Sequence, residues 1–317
     1  MDEGGTIDAI YMDLMKAFDT VPHQRLLVKL ESFGVGGKLL SWLKSFLIGR
    51  RQRVVVSGKE SSWGEVVSGV PQGSVLGPTL FLIFVNDLPD TVQSKVTMFA
   101  DDTKLYVHSD KRDSVVQLQC DLLKLDRIWA VKWLLRFHPD KCTVLKLGNQ
   151  NPNMQTEYHM MSESGEVALR EVHVEKDLGV SVDSKLSFKN QVSQASLKAN
   201  RVLGIVRRTF VNLDAATMLF LFKGLVRPTL EYGQAAWSPY RIGEQRKLES
   251  VQRRATKIIP GFSHLTYRER LMKLKLPTLA HRRRRGDMID VFKYLTGVYN
   301  TEHNLFHRAR GHKLKLD

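Results

Sequence analysis

Three aspartates hold the chemistry open to this chain: Asp101 and Asp102, side by side, and Asp13 far upstream. The pair sits in Phe99-Ala100-Asp101-Asp102, between Lys95-Val96-Thr97-Met98 and Thr103-Lys104-Leu105-Tyr106-Val107. Two β-prone runs around a short polar centre predict a hairpin with carboxylates at its tip. Adjacent carboxylates repel and point apart, so a turn that displays both suits a divalent cation. Magnesium takes a few carboxylate oxygens and leaves room for phosphates. A solvated turn, with Asp bonding its own backbone, is the plainer reading of such a pair taken alone. Two upstream stretches count against it. Asp13 ends the apolar, strand-like run Ile10-Tyr11-Met12, and Phe18 follows five residues later. Gly69-Val70-Pro71-Gln72-Gly73-Ser74-Val75-Leu76-Gly77-Pro78 is a loop opening onto a long apolar segment.

In this order and spacing the three stretches resemble motifs A, B and C of reverse transcriptases. The wording is most similar to the non-LTR, LINE-type retrotransposons of the jockey and chicken-repeat kind. The resemblance implies an α+β fold: a right-hand polymerase palm, with a small antiparallel sheet backed by helices, followed by an all-helical thumb. It implies RNA-directed DNA polymerisation, with an RNA template, a DNA primer, deoxynucleoside triphosphates and two Mg2+ ions, Mn2+ being a substitute. It makes Asp13 and Asp101 the principal metal ligands, Asp102 a supporting acid, and the Leu14 backbone carbonyl a further oxygen.

Other roles come from the same resemblance. The Phe18 ring would pack under the sugar and clash with a ribose 2′-hydroxyl; a core phenylalanine is the alternative. Gln72 and Gly73 would meet the incoming nucleotide and template, since glycine lets backbone approach closely. Lys141 matches the lysine of motif D and would neutralise or protonate the leaving pyrophosphate; a strand-edge lysine in water is the alternative. Leu178-Gly179-Val180 resembles the primer-grip turn.

These residues need elements to position them. A strand over residues 6–13 would deliver Asp13 to a site at its end. Pro22 opens a helix with Leu26, Leu27 and Leu30 on one face, stopped near Gly34. A second helix carries Leu39, Leu40, Trp42, Leu43, Phe46 and Leu47 up to Gly49. Arg50, Arg51 and Arg53 come next, either as a solvent loop or lining a nucleic-acid path. Val54-Val55-Val56 and Glu65-Val66-Val67 read as a hairpin around Ser57-Gly58-Lys59. The helix through residues 80–85 is apolar nearly all round and should be buried. Residues 114–136 form the best amphipathic helix, 143–147 a strand, 148–155 a polar loop and 167–182 short strands. Helices over 193–210, 215–227, 244–259 and 279–295 follow, and 301–317 reads as a frayed tail.

A chain of 317 residues, 43% hydrophobic, can bury one large core or two smaller ones. No window approaches a membrane span, and no basic-apolar-small leader begins the chain, so neither a membrane partner nor export is expected. The expected place is inside the cell, nuclear or cytoplasmic. Cys120 and Cys142 give no disulfide framework and no C-x-x-C zinc pair, and the histidines show no ligand spacing. Charge is uneven. Of the 48 basic and 33 acidic side chains, residues 1–190 hold 23 and 24, and residues 191–317 hold 25 and 9. Such an excess in one half implies a polyanionic partner, nucleic acid.

Charge and structural class change together near residue 190, which places a palm over 1–189 and a basic helical thumb over 190–317. Arg207, Arg208, Arg246, Lys247, Arg253 and Arg254 are the candidate phosphate contacts, with Arg282-Arg283-Arg284-Arg285 as a further set. That run also reads as a nuclear-localisation-like signal. Tyr232, Trp237 and Tyr240 could stack bases or fill the core. The resemblance covers roughly residues 6–295 and lacks the fingers region that the family carries ahead of motif A. This reads as the palm and thumb of something larger. The rivals are a remnant that only binds nucleic acid and a maturase-like splicing factor.

Overall fold

Residues of alternating character at the start of the chain make a strand with one face for the core. In the computed structural model, which describes residues 5–148, 156–162, 165–210 and 213–299, that strand is β1 (Ile7–Met12), with Ile10 and Met12 buried. The helices α1 (His23–Ser32) and α2 (Gly37–Leu47) follow. A hairpin arm then carries β2 (Arg51–Gln52), β3 (Val55–Val56), β4 (Lys59–Glu60) and β5 (Gly64–Glu65). After it come α3 (Leu76–Val85), β6 (Lys95–Phe99), β7 (Asp102–His108), α4 (Arg112–Lys124), α5 (Ala130–Trp133) and β8 (Thr143–Leu147). Short strands close the series: β9 (His159–Ser162), β10 (Gly165–Ala168), β11 (Arg170–Val172), β12 (Val174–Asp177) and β13 (Val180–Asp183).

The main sheet has the order β11-β8-β1-β7-β6, antiparallel throughout except for the parallel β11–β8 pair. Ile10, Leu26, Leu30, Phe81, Phe84, Leu105, Leu118 and Leu122 are all within 1% of full burial and form one core between sheet and helices. Each such side chain contributes about 1.5–3 kcal/mol relative to exposure. Lys29 is buried in this layer. Its ammonium lies 2.6 Å from Asp87 and 3.9 Å above the Trp133 ring, and it also donates to the Phe84 carbonyl.

Several expectations are corrected here. The arm does not pair Val54-Val55-Val56 with Glu65-Val66-Val67. Ser57 and Gly58 both have positive φ, +50° and +78°, so the chain turns in two residues and Val56 meets Lys59 at once. Pairing resumes lower down as Arg51 with Glu65. Helix α3 is not buried all round, since Leu82 is 52% exposed. The amphipathic helix runs from Arg112 to Trp133 with one π turn, Leu125–Trp129, and stops where Leu134 turns left-handed. The hairpin of β9 and β10 was not foreseen. The polar loop lies largely, and the 301–317 tail wholly, outside the described residues.

The described chain divides into two compact units, one of residues 1–175 and 183–186, the other of 176–182 and 187–317. The second is built on α6 (Lys189–Thr209), α7 (Ala215–Leu221), α8 (Arg227–Glu231), α9 (Gln234–Trp237), α10 (Ile242–Ile258), α11 (Tyr267–Leu274) and α12 (Leu279–Leu295). Between α7 and α8 runs a π turn, Phe222–Val226. Pro228 has no N–H for the Gly224 carbonyl, which is reason for the ladder to slip there. Helix α11 starts with a capping box, Thr266 with Glu269 three residues on.

Candidate active site

Sheet register brings the distant acids together. The β1–β7 ladder ends at the pair Met12 with Thr103, and Asp13 and Asp102 are the residues that adjoin that pair. Strand alternation puts these two on the face shared by Tyr11 and Lys104, opposite the buried Met12 and Thr103. Asp101 occupies the two-residue turn between β6 and β7, where Phe99 pairs with Asp102. Its neighbour Ala100 has φ +55°, a conformation that costs a non-glycine residue free energy. Lys16, just after Asp13, is also left-handed at φ +47°. Backbone strain therefore sits on both sides of the acidic edge.

The peptide after Asp13 is held by the segment 136–138. Met15 N–H donates to the Arg136 carbonyl and His138 N–H to the Asp13 carbonyl, each at 2.8 Å, with Leu14 opposite Phe137. The Leu14 side chain is buried, and its carbonyl takes no part in those bonds. Past His138 the chain turns back, and Lys141 Nζ reaches Asp13 Oδ2 at 3.0 Å. Burial pushes the neighbouring Cys142 thiol up to about 11, so it adds no charge beside Asp13 at neutral pH.

Phe18 lies on the other side of the same turn, half-buried, its ring stacked 4.5 Å from Phe81. Gln72 Nε2 donates to Asp19 Oδ1 at 2.8 Å. Gly73 has φ +78° with nothing within 4 Å of where a Cβ would stand, an open place for close approach. Ser74 Oγ donates to the Pro71 carbonyl and accepts from Gly77 N–H, bracing the loop into α3. The structure thus places Asp13, Asp101 and Asp102 at the same end of neighbouring strands, with Lys141 on Asp13, and brings Gln72 to the turn that bears Phe18. Sequence reasoning missed Asp19 and His23, which together with Arg50 hold that loop. Arg50, left open between solvent and a nucleic-acid path, is an internal ligand of backbone carbonyls.

As donors, three carboxylates suit a hard divalent cation. Among the described residues, however, no three His, Cys, Asp or Glu side chains converge closely enough to hold a metal ion, and the Lys141 ammonium stands against Asp13 as a cation would. The donor set fits such an ion in kind.

In the second unit Arg207, Arg208, Arg246, Lys247, Arg253 and Arg254 are exposed. Lys247 is paired with Glu244 at 3.1 Å, and Arg253 lies 4.4 Å over the Tyr267 ring. The run 282–285 needs correction. Arg282 makes a two-pronged pair with Glu231, at 2.5 and 2.9 Å, and Arg283 is 3% exposed. Only Arg284 and Arg285 are exposed. Trp237 is a core residue donating to the Tyr232 carbonyl, and Tyr232 itself donates to Leu178 at the tip of the β12–β13 hairpin. Tyr240 is 72% exposed.

A mixed sheet with carboxylates at one end of its strands, followed in the chain by a basic helical unit, is the class these observations define. The family model for "Reverse transcriptase (RNA-dependent DNA polymerase)" matches residues 4–181. The chain belongs to the reverse transcriptase family, which uses divalent metal ions. Within it the relatives are LINE-type. The RNA-directed DNA polymerase from mobile element jockey of Drosophila melanogaster is 27% identical over 85% of this chain and 30% of its own length. The probable RNA-directed DNA polymerase from transposon X-element of the same species is 26% identical, over 80% and 28%. The chain therefore spans about 30% of the length of these curated relatives. Among solved structures, apo telomerase from Candida tropicalis aligns with TM-score 0.46 at 12% identity, over 85% of this chain and 45% of that one. Among the described residues no helix is long and apolar enough to cross a membrane.

Proposed function

We propose that this chain is the palm (1–189) and thumb (190–317) of an RNA-directed DNA polymerase that extends a DNA primer on an RNA template with deoxynucleoside triphosphates. One observation supports the reading: the β1–β7 ladder ends at the pair Met12 with Thr103, so Asp13 and Asp102 both adjoin that end, with Asp101 in the neighbouring turn and Lys141 on Asp13. Asp13, Asp101 and Asp102, with the Leu14 carbonyl, would hold two Mg2+ ions, Mn2+ being a substitute. When bound, such a pair stabilises the attacking and leaving oxygens of an in-line displacement. The primer 3′-hydroxyl would lose its proton to solvent and its oxygen would bond to the α-phosphorus as the bond to pyrophosphate breaks. Lys141 serves the leaving side. Its pair with Asp13 is solvent-exposed, and pairs of that kind are worth only about 0–1 kcal/mol, so the ammonium is readily redirected to a phosphate, which it neutralises or protonates. Phe18 would meet the sugar, and Gln72 and Gly73 the nucleotide and template. Arg207, Arg208, Arg246, Lys247, Arg253 and Arg254 would meet backbone phosphates. Work on RNA and DNA would take place in the nucleus or cytoplasm.

Primer extension with magnesium tests this. Asp13→Asn, Asp101→Asn and Asp102→Asn are each expected to abolish extension while the fold, followed by circular dichroism, persists. Extension by Asp101→Asn within a few-fold of wild type would overturn the assignment. Nucleic-acid binding with no extension by the wild type would favour a binding protein without catalysis.

A further inference from the structure

The loop bearing Gln72 is fastened to the turn after Asp13 by residues to which the family likeness assigns no role. Gly69 is the fastening point. Its φ is +89°, and a Cβ there would stand 2.7 Å from the Asp19 carbonyl oxygen, so only glycine lets the two backbones meet. Gly69 N–H donates to the Val21 carbonyl and Val70 N–H to the Phe18 carbonyl, both at 2.8 Å. Ser68 Oγ donates to the Asp19 carbonyl, also at 2.8 Å.

The Gly69 carbonyl then accepts two side chains, His23 Nε2 and Arg50 Nη2, each at 2.9 Å. A carbonyl can only accept, so Nε2 of His23 carries the proton. His23 is buried in the first turn of α1, and Arg50 stands just past the end of α2, where its Nε donates to the Leu47 carbonyl at 3.0 Å. One peptide oxygen is thereby tied to two helix ends, with both its lone-pair directions used. Three residues on, the carboxylate of Asp19 takes the Gln72 NH2 group, which leaves the Gln72 amide oxygen as the acceptor for whatever approaches.

We infer that His23, Arg50 and Asp19 are positioning residues for Gln72: His23 and Arg50 set where the loop stands, and Asp19 sets which end of the Gln72 amide is offered. The role rests on the reading that Gln72 and Gly73 meet the nucleotide and template. None of the three residues touches the acidic edge through a contact described above, so their effect is on how a nucleotide is held rather than on the displacement itself.

Two readouts on the full-length chain separate the clamp from that reading. Amide hydrogen exchange is the first. Within residues 69–73, where Pro71 carries no amide proton, His23→Ala and Arg50→Ala are expected to speed exchange at the bonded amides of Gly69 and Val70 by about tenfold or more, with β1 and α3 unchanged. His23→Gln, whose amide N–H can reach the same carbonyl, restores protection, and Arg50→Lys, with a single donor group for two carbonyls, restores it only in part. Should Arg50→Ala fail to fold, the His23 pair and Arg50→Lys decide. The second readout is primer extension at saturating template and primer. His23→Ala and Asp19→Ala are expected to raise KM for the deoxynucleotide about tenfold with kcat little changed, and His23→Gln to return it towards wild type. Unchanged exchange at 69–73, or exchange that rises uniformly over the first unit, overturns the clamp. Faster local exchange with an unchanged KM upholds the clamp and overturns the nucleotide role of Gln72.

Discussion

Phe18 meets two demands at once. One side of its ring stacks on Phe81 in the core, while the residue as a whole is only half-buried at the turn next to Asp13 and the Gln72 loop. Truncation should therefore show in two separate measurements. Phe18→Ala is expected to lower unfolding free energy by up to about 3 kcal/mol in urea titrations, as removal of a packed ring does. In a chain that polymerises, it is also expected to admit ribonucleotides more readily relative to deoxynucleotides. A stability loss with an unchanged ratio of incorporation would make Phe18 a core residue and nothing more. Phe18→Tyr, which keeps the stack, separates the two effects from the other direction.

At the scale of elements, the hairpin that presents Asp101 is anchored at its far end by a helix. Asp121 of α4 is fully buried, and its carboxylate accepts from Ser94 N–H and Ser94 Oγ at 2.8 Å and from Gln93 N–H at 3.0 Å, just before β6. Burial alone would raise this carboxyl, but hydrogen bonds from Lys124, Gln117 and Ser94 hold it down at about 2 against an ordinary 3.8. The folded value lies below the unfolded one, so the unfolded chain binds more protons as the medium acidifies. The stabilisation, about 2 kcal/mol, is complete above roughly pH 5 and disappears as pH falls towards 2. Asp121→Asn should thus be most costly at neutral pH, with its deficit shrinking below pH 4 in thermal melts. A deficit that is the same at pH 7 and pH 3 would show that the ionised form contributes nothing.

Over the whole molecule, the basic excess of the second half divides into side chains that serve the fold and side chains left at the surface. Arg282 is raised above its ordinary value by its bond to Glu231, and Arg283 is lowered by burial; both lie inside the packing of α8, α10 and α12. Arg207 and Arg208 end α6 in the open. Each phosphate neutralised on a duplex adds about 0.9 to the slope of log affinity against log salt. Filter binding of the full chain to duplex should accordingly show a steep salt dependence. Arg207→Gln with Arg208→Gln should flatten it by up to about 2. Arg282→Gln should leave that slope alone and lower the melting temperature, because it removes the two-pronged pair and leaves the partly buried Glu231 only the longer pair with Arg227, at 3.7 Å. A slope unchanged by the Arg207 and Arg208 substitutions would make them solvated surface.

What the sequence by itself determined is local. A hairpin with carboxylates at its tip, a strand ending at Asp13, α1 behind Pro22 and the long helix before Lys141 all follow from periodicity, turn residues and caps within a dozen positions. The motif wording was legible too, and with it the family. Tertiary structure alone decided the rest, since it depends on partners far apart in the chain. Whether Asp13 and Asp102 adjoin the same end of a ladder is a matter of register over some ninety residues. Whether Arg50 or Arg282 is available to a ligand depends on a carbonyl or a carboxylate arriving from another element. The arm shows the boundary between the two cases. One of its strands, Val55–Val56, was legible as β-prone valines, but its pairing was settled by two left-handed residues, Ser57 and Gly58, whose tight turn sets Val56 against Lys59. His23 lay unremarked, and Arg50 was open between two surface roles, for the same reason: hydrogen bonds to a backbone oxygen leave no mark in the residue types, and only the folded chain brings that oxygen to them.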